Sequence, residues 1–126
     1  MIKDYSNGIQ HIGLPTNDMD ATVAFYKKLG FELAHEKVLD CRVCFLKLQN
    51  LVIEAYENKQ AVLKPGAIDH IAIDCTNIEA AFEEAKKLDM KFAGDTIESL
   101  PFWKNGIKFF KIIGPNAELI EYCQIL

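Results

Sequence analysis

Apolar and polar positions change period in a regular order along the chain. Residues 8 to 14 alternate as a half-buried strand does, with Ile12 and Leu14 on one face and Ile9, His11 and Gly13 on the other. From Asn17 or Asp18 the spacing becomes helical, carrying Thr22, Phe25, Tyr26 and Leu29 inward and stopping at Gly30, a residue suited to the left-handed turn after a helix. Strand-like stretches follow at about 31 to 38, 41 to 48 and 51 to 57. The order then repeats. A strand over 67 to 73 puts Ile71 and Ile73 on one face and Ile68, His70 and Ala72 on the other. Thr76-Asn77-Ile78-Glu79 reads as a capping box for a helix with the stripe Ile78, Ala81, Phe82, Ala85 and Leu88 and with Lys86 and Lys87 in its last turn. Three more strands are expected at about 91 to 97, 107 to 113 and 117 to 124. The pattern predicts an α+β domain over residues 1–126 made of two tandem βαβββ modules, about 8–58 and about 67–126.

Residue identities support the repetition. Residues 9 to 34 align with 68 to 93 without a gap at an offset of 59, with eight of 26 positions identical. The shared residues include the histidines His11 and His70. Further on, Phe-Leu-Lys-Leu at 45 to 48 answers Phe-Phe-Lys-Ile at 109 to 112, and Val-Ile-Glu at 52 to 54 answers Leu-Ile-Glu at 119 to 121. Asp89 stands where the first copy has Gly30. The polar stretch from Asn58 to Lys64, closed by Pro65-Gly66, reads as the connection. Glu98 to Gly106, with Leu100-Pro101-Phe102-Trp103 at its centre, reads as an irregular surface loop whose alternative role is a pocket lid.

Composition narrows the classes of partner. Fourteen basic and 18 acidic residues give a net charge of −4, without the basic excess that nucleic acids or anionic lipid surfaces attract. No run approaches the roughly 18 apolar residues of a membrane helix, and the expected location is the cytoplasm. Cys41, Cys44, Cys75 and Cys123 are then expected as reduced thiols. Cys41 and Cys44 lie three apart on a strand and point to opposite faces, which spoils both a zinc knuckle and a redox pair.

Strand parity sorts the remaining chemistry. Glu54 shares a face with Val52 and Tyr56, and Glu121 shares one with Leu119 and Cys123, in both cases mid-strand among apolar residues where a carboxylate needs a partner. If the modules pair about a pseudo-two-fold, His11, Glu54, His70 and Glu121 converge on one point. Two imidazoles and two carboxylates suit one divalent ion, Ni²⁺, Zn²⁺, Co²⁺, Mn²⁺ or Fe²⁺, and leave positions open for water or substrate. His35 has no counterpart in the second copy and is read as structural or exposed.

His11-Ile-Gly, the helix end Phe25-Tyr-Lys-Lys-Leu-Gly-Phe, Val52-Ile-Glu54, Asp69-His70-Ile-Ala, and Gly114-Pro115-Asn116 leading to Leu-Ile-Glu121 together span nearly the whole chain. In these features the sequence resembles the vicinal oxygen chelate superfamily, which includes glyoxalase I, methylmalonyl-CoA epimerase, extradiol dioxygenases and bleomycin or fosfomycin resistance proteins. The resemblance implies the glyoxalase/bleomycin resistance/dioxygenase fold, with paired βαβββ modules forming a cupped mixed sheet around a metal, usually in a homodimer. It also implies the glyoxalase I ligand order His, Glu, His, Glu, carried by His11, Glu54, His70 and Glu121. The epimerase typically has glutamine at the second ligand, so Glu54 tilts the resemblance toward glyoxalase I. Asn58 matches an asparagine used near glutathione, whereas Pro15 stands where that family usually places an arginine, and a proline cannot replace a guanidinium fork.

The implied activity is that of a metal-dependent lyase or isomerase acting on a small molecule, moving a proton on the carbon next to a carbonyl through a metal-stabilised enediolate. Glu121 or Glu54 shuttles the proton, and Tyr56 and Cys123 are candidate pocket residues. The alternatives are an epimerase of a thioester or sugar-like substrate, an iron-dependent dioxygenase of the extradiol type, and a non-catalytic binding or resistance protein whose cleft is lined by Phe102, Trp103 and Tyr56.

Overall fold

Alternating β-branched and aromatic residues build two four-stranded sheets, each backed by one helix. The computed structural model describes residues 1–126, the side chain of Ile2 aside, and the chain divides into two compact units, Met1–Ala61 and Val62–Leu126. After a single 3-10 turn, the first unit contains β1 (Ile12–Pro15), α1 (Met19–Lys28), β2 (Glu32–Val38), β3 (Arg42–Leu48) and β4 (Leu51–Tyr56). The second contains β5 (His70–Asp74), α2 (Ile78–Lys87), β6 (Glu98–Leu100), β7 (Ile107–Ile113) and β8 (Leu119–Ile125). Strand orders are β1-β4-β3-β2 and β5-β8-β7-β6. In each sheet the first strand lies parallel to the last and the other pairs are antiparallel, which is the expected βαβββ unit written twice.

One face of each sheet is closed by its helix. In the first unit Met19 and Tyr26 of α1 are buried with Cys44, Leu46, Ile53 and Ala55 of β3 and β4. In the second, Ile78 and Ala85 of α2 are buried along with Phe110, Ile112 and Ile120. Phe82, Phe92 and Phe110 meet at ring distances of 5.1 to 5.9 Å, and Tyr122 stacks on Phe110 at 5.2 Å. Each fully buried aliphatic side chain contributes about 1.5 to 3 kcal/mol, so these faces fix the parity of every strand.

Polar residues anchor both helices in the same way. Asp18 Oδ1 accepts from Ala21 N–H and Asn77 Oδ1 from Ala80 N–H, each at 3.0 Å. A second acceptor reaches each helix start from the end of the parallel strand or just past it. Glu57 Oε1 accepts from Met19 N–H at 2.9 Å, and Gln124 Oε1 accepts from Ile78 N–H at 2.8 Å. Both helices end in a left-handed residue, Gly30 at φ +92° and Asp89 at φ +55°, so aspartate takes over the glycine's conformation in the second copy.

The structure corrects four sequence expectations. Thr76 does not cap α2, because Asn77 does, and Glu79 pairs with Lys108 at 2.6 Å instead of closing a capping box. Residues 91 to 97 form no strand beyond the single bridge of Phe92 to Ile112; the fourth strand of that sheet is β6, inside the stretch expected to be irregular. β1 and β5 begin at Ile12 and His70 rather than at 8 and 67, since the preceding residues have no strand partner. The repeat of β3 in β7 is displaced by two residues from the sequence alignment. Phe45 lies opposite Glu54 while Lys111, not Phe109, lies opposite Glu121. A two-residue slip preserves parity, so the hydrophobic pattern could not reveal it.

Among the described residues no helix is long and apolar enough to cross a membrane. The four cysteines are free, with Cys44 buried on β3 and Cys41 just before the strand.

Candidate functional site

The sheet face opposite each helix carries the predicted histidine and glutamate. Parallel pairing sets Gly13 beside Glu54 and Ala72 beside Glu121, so the histidine two residues before each small residue reaches across to the carboxylate. His11 Nε2 lies 3.0 Å from Glu54 Oε2, and His70 Nε2 lies 3.4 Å from Glu121 Oε2. Each ring is held from behind by the preceding residue. His11 Nδ1 is 2.9 Å from Gln10 Oε1, and His70 Nδ1 is 2.9 Å from Asp69 Oδ2. Nδ1 of each ring faces an acceptor and Nε2 faces the carboxylate, so a ring protonated on Nδ1 would present its Nε2 lone pair to a cation shared with that carboxylate.

The two faces differ in what surrounds the carboxylate. Across the first sheet the row Gly13, Glu54, Phe45, His35 places an aromatic ring between two imidazoles, with His11 at 6.1 Å and His35 at 5.9 Å from Phe45. His35 is exposed, as expected, yet it shares this row with Glu54. In the second unit Glu121 is buried, 8% exposed, and Lys111 Nζ approaches its Oε2 at 3.6 Å. Cys123 also faces Glu121; burial, then the charge and hydrogen bonding of that carboxylate, push its thiol pKa up and keep it protonated. Sequence reasoning missed Lys111 because the alignment set its neighbour Phe109 opposite the aromatic of the first copy.

The other candidates are placed as follows. Tyr56 lies on the Glu54 face with its ring against Gly13, where an added Cβ would stand 3.5 Å from Cε1. Asn58 turns its Oδ1 to its own loop, accepting from Gln60 N–H at 3.0 Å. Phe102 and Trp103 are 53% and 74% exposed. Trp103 lines a pocket of about 490 Å³ together with residues including Leu100, Ile107 and Leu126, and neither His70 nor Glu121 borders that pocket.

The structure therefore gathers the four predicted ligands as two pairs, one in each unit. Among the described residues no group of three or more His, Cys, Asp or Glu side chains is placed to hold a metal ion. The donor types of each pair nonetheless fit a divalent cation: an imidazole Nε2 and a carboxylate oxygen within 3.4 Å of each other, with an acceptor beside Nδ1.

Sequence and fold comparisons agree with this architecture. The family model described as Glyoxalase/Bleomycin resistance protein/Dioxygenase superfamily matches residues 8–109, and the chain belongs to that superfamily. It is similar to the uncharacterized protein YwbC of Bacillus subtilis (strain 168), at 30% identity over 125 residues, covering 92% of this chain and 96% of that protein. The crystal structure of a glyoxalase family protein from Enterococcus faecalis superposes with a TM-score of 0.79 at 21% identity, covering 94% of this chain and 98% of that one. The fosfomycin resistance protein FosX from Listeria monocytogenes, solved with Mn(II) and sulfate, superposes with a TM-score of 0.75 at 16% identity, over 96% and 94% of the two chains.

Proposed function

We propose that the chain is a metal-dependent lyase or isomerase of the glyoxalase I type, with His11, Glu54, His70 and Glu121 as the ligands of one divalent ion. The observation that carries this reading is the repeated pair: in each unit an imidazole Nε2 faces a carboxylate on the sheet face away from the helix, with Nδ1 already bound. One pair offers two donors, fewer than the three or four that protein usually supplies to such an ion, and we therefore assign all four side chains to it. The Mn(II) held by FosX supports a divalent ion in a relative of the same fold. Four free thiols suit a reducing compartment, and we take the working form as a cytoplasmic homodimer acting on a small molecule.

A bound ion supplies Lewis-acid polarisation of a substrate carbonyl. The remaining chemistry belongs to side chains. Glu121 or Glu54 takes the proton from the carbon beside that carbonyl and returns it to the neighbouring carbon. Gln10 and Asp69 hold each imidazole from its Nδ1 side and so orient Nε2 toward the carboxylate. Tyr56 and Cys123 flank the carboxylates as a neutral lining.

The test is proton exchange in deuterium oxide, followed by NMR, with metal-loaded protein and the hemithioacetals that methylglyoxal forms with a panel of thiols. Deuterium in the recovered substrate or product is expected, with turnover reduced more than about tenfold in Glu121→Gln and in Glu54→Gln. Unchanged turnover in both variants would remove the glutamates from the mechanism. Oxygen uptake without proton exchange would move the chain to the dioxygenase reading.

A further inference from the structure

β2 does not keep the alternation of a regular strand. Leu33 pairs with Leu46 and His35 with Phe45, so Ala34 is an extra residue and forms a bulge. In an unbroken strand Leu33 and His35 would share the helix face, where Leu46 is fully buried. The bulge turns His35 to the opposite face, into the row that holds Phe45 and Glu54. Bulges beside binding sites re-aim side chains in this way. The strand after the bulge is fixed from the helix side. Glu36, opposite Cys44, pairs with Arg42 Nε at 2.6 Å, and Arg42 Nη1 pairs with Asp20 of α1 at 2.6 Å.

On the face so formed, Glu54, Phe45 and His35 stand in one row across β4, β3 and β2, and Tyr56, Val43 and Lys37 stand in the next. Phe45 is half-buried. The His11 ring meets it at 79° and the His35 ring at 48°, so neither imidazole lies flat on it. A flat ring can stack there at the roughly 4.5 to 7 Å usual between aromatic centroids. His35 and Lys37, both exposed, put ring nitrogens and a positive charge on β2, two strand spacings or about 10 Å from Glu54 on β4. Glu36, between them in sequence, points to the other face and is taken up by Arg42, while Glu32 lies opposite Lys47. The outer end of the row therefore complements an anion and its middle a flat ring.

We propose that this face of the first unit binds a planar aryl carboxylate, with the ring over Phe45 and the carboxylate at His35 and Lys37. Every residue of the site lies in the first unit, so the inference goes beyond the metal-site reading and does not depend on it. An imidazole N–H and an ammonium give the carboxylate charge-assisted hydrogen bonds, and the stacked ring fixes its direction along the row. The bulge at Ala34 is what supplies the imidazole, since without it His35 would face α1.

NMR titration of the full-length, chelator-treated protein tests this with three probes: benzoate, its uncharged counterpart benzamide, and the non-planar cyclohexanecarboxylate. Benzoate is expected to shift the ring signals of His35 and Phe45 in a saturable way and to show nuclear Overhauser contacts with Phe45. Benzamide and cyclohexanecarboxylate are expected to bind at least about threefold more weakly, one lacking the charge and the other the flat ring. His35→Ala and Phe45→Leu should each weaken benzoate about three- to tenfold, the worth of one hydrogen bond or one ring pair, and His35→Gln should recover part of the first loss. No saturable shift at His35 and Phe45 up to about 50 mM benzoate overturns the proposal. So does equal affinity for either control probe, or benzoate binding by His35→Ala within about 1.5-fold of wild type. The metal is absent throughout, so a negative result defeats this site and leaves the metal-site reading standing, and metal content decides that reading separately.

Discussion

The same substitution made in the two repeats should have different consequences for stability. Glu121→Gln in metal-free protein removes the one carboxylate facing Lys111 Nζ at 3.6 Å, while Glu54→Gln removes a carboxylate that faces Phe45. At 3.6 Å and an effective dielectric of about 20, the gross attraction between the charges is about 4 to 5 kcal/mol. Desolvation of both groups offsets most of it, and the quarter of the lysine side chain left in water offsets more. A net cost of about 1 to 2 kcal/mol remains, between that of an exposed pair and that of a fully buried one. In a chain of this size that is a fall in Tm of about 4 to 10 °C. Glu54→Gln loses no ion pair with a lysine and should cost below about 0.5 kcal/mol. Urea unfolding of both variants after chelator treatment reads the difference. The double variant Lys111→Met/Glu121→Gln should recover most of the loss, because it leaves no unpaired ammonium. Equal destabilisation of Glu121→Gln and Glu54→Gln, or a double variant as weak as Glu121→Gln, would show that Lys111 is satisfied by water and refute the reasoning.

Two further predictions follow from the helix anchors. Asn77→Ala and Gln124→Ala remove acceptors from different N–H groups of α2 and should each cost about 1 kcal/mol, adding to about 2 kcal/mol in the double variant by urea unfolding; a double variant no worse than either single one would mean the bonds are redundant. The Met19 N–H, and after it Lys59, hold the Glu57 carboxyl pKa below its ordinary 4.5. A depressed carboxyl adds stability above its unfolded pKa and loses it as pH falls through the folded one, so the acid limb below pH 4.5 should be shallower in Glu57→Gln, whose amide still accepts from Met19. Identical acid limbs in the two proteins would remove Glu57 from that role.

Periodicity made the fold legible because each helix stripe and each strand alternation reflects a face buried against its neighbour. Ile12, Leu14, Ile71 and Ile73 lie on the helix side as their parity requires, and the four candidate ligands lie on the other. Three features were not legible for local reasons. The cap of α2 lies one residue past the threonine because Asn77 serves as well as a hydroxyl and Glu79 finds Lys108 on the strand beneath the helix. The strand expected at 91 to 97 is replaced by β6, a three-residue strand whose pairing with β7 no alternation announces. The Phe45/Lys111 correspondence was hidden by a slip of even length. Parity could say which face His11 and Glu54 share, but the 3.0 Å approach depends on parallel pairing of β1 with β4, which no residue pattern encodes.

The central claim is that two His–Glu pairs serve one metal. Elemental analysis of the full-length protein, before and after reloading with Ni²⁺, Zn²⁺, Co²⁺, Mn²⁺ or Fe²⁺, tests it most directly. About one ion per chain is expected, lost in His70→Ala and equally in His11→Ala. Retention of none of the five ions by wild type, or loss in only one of the two variants, would contradict it.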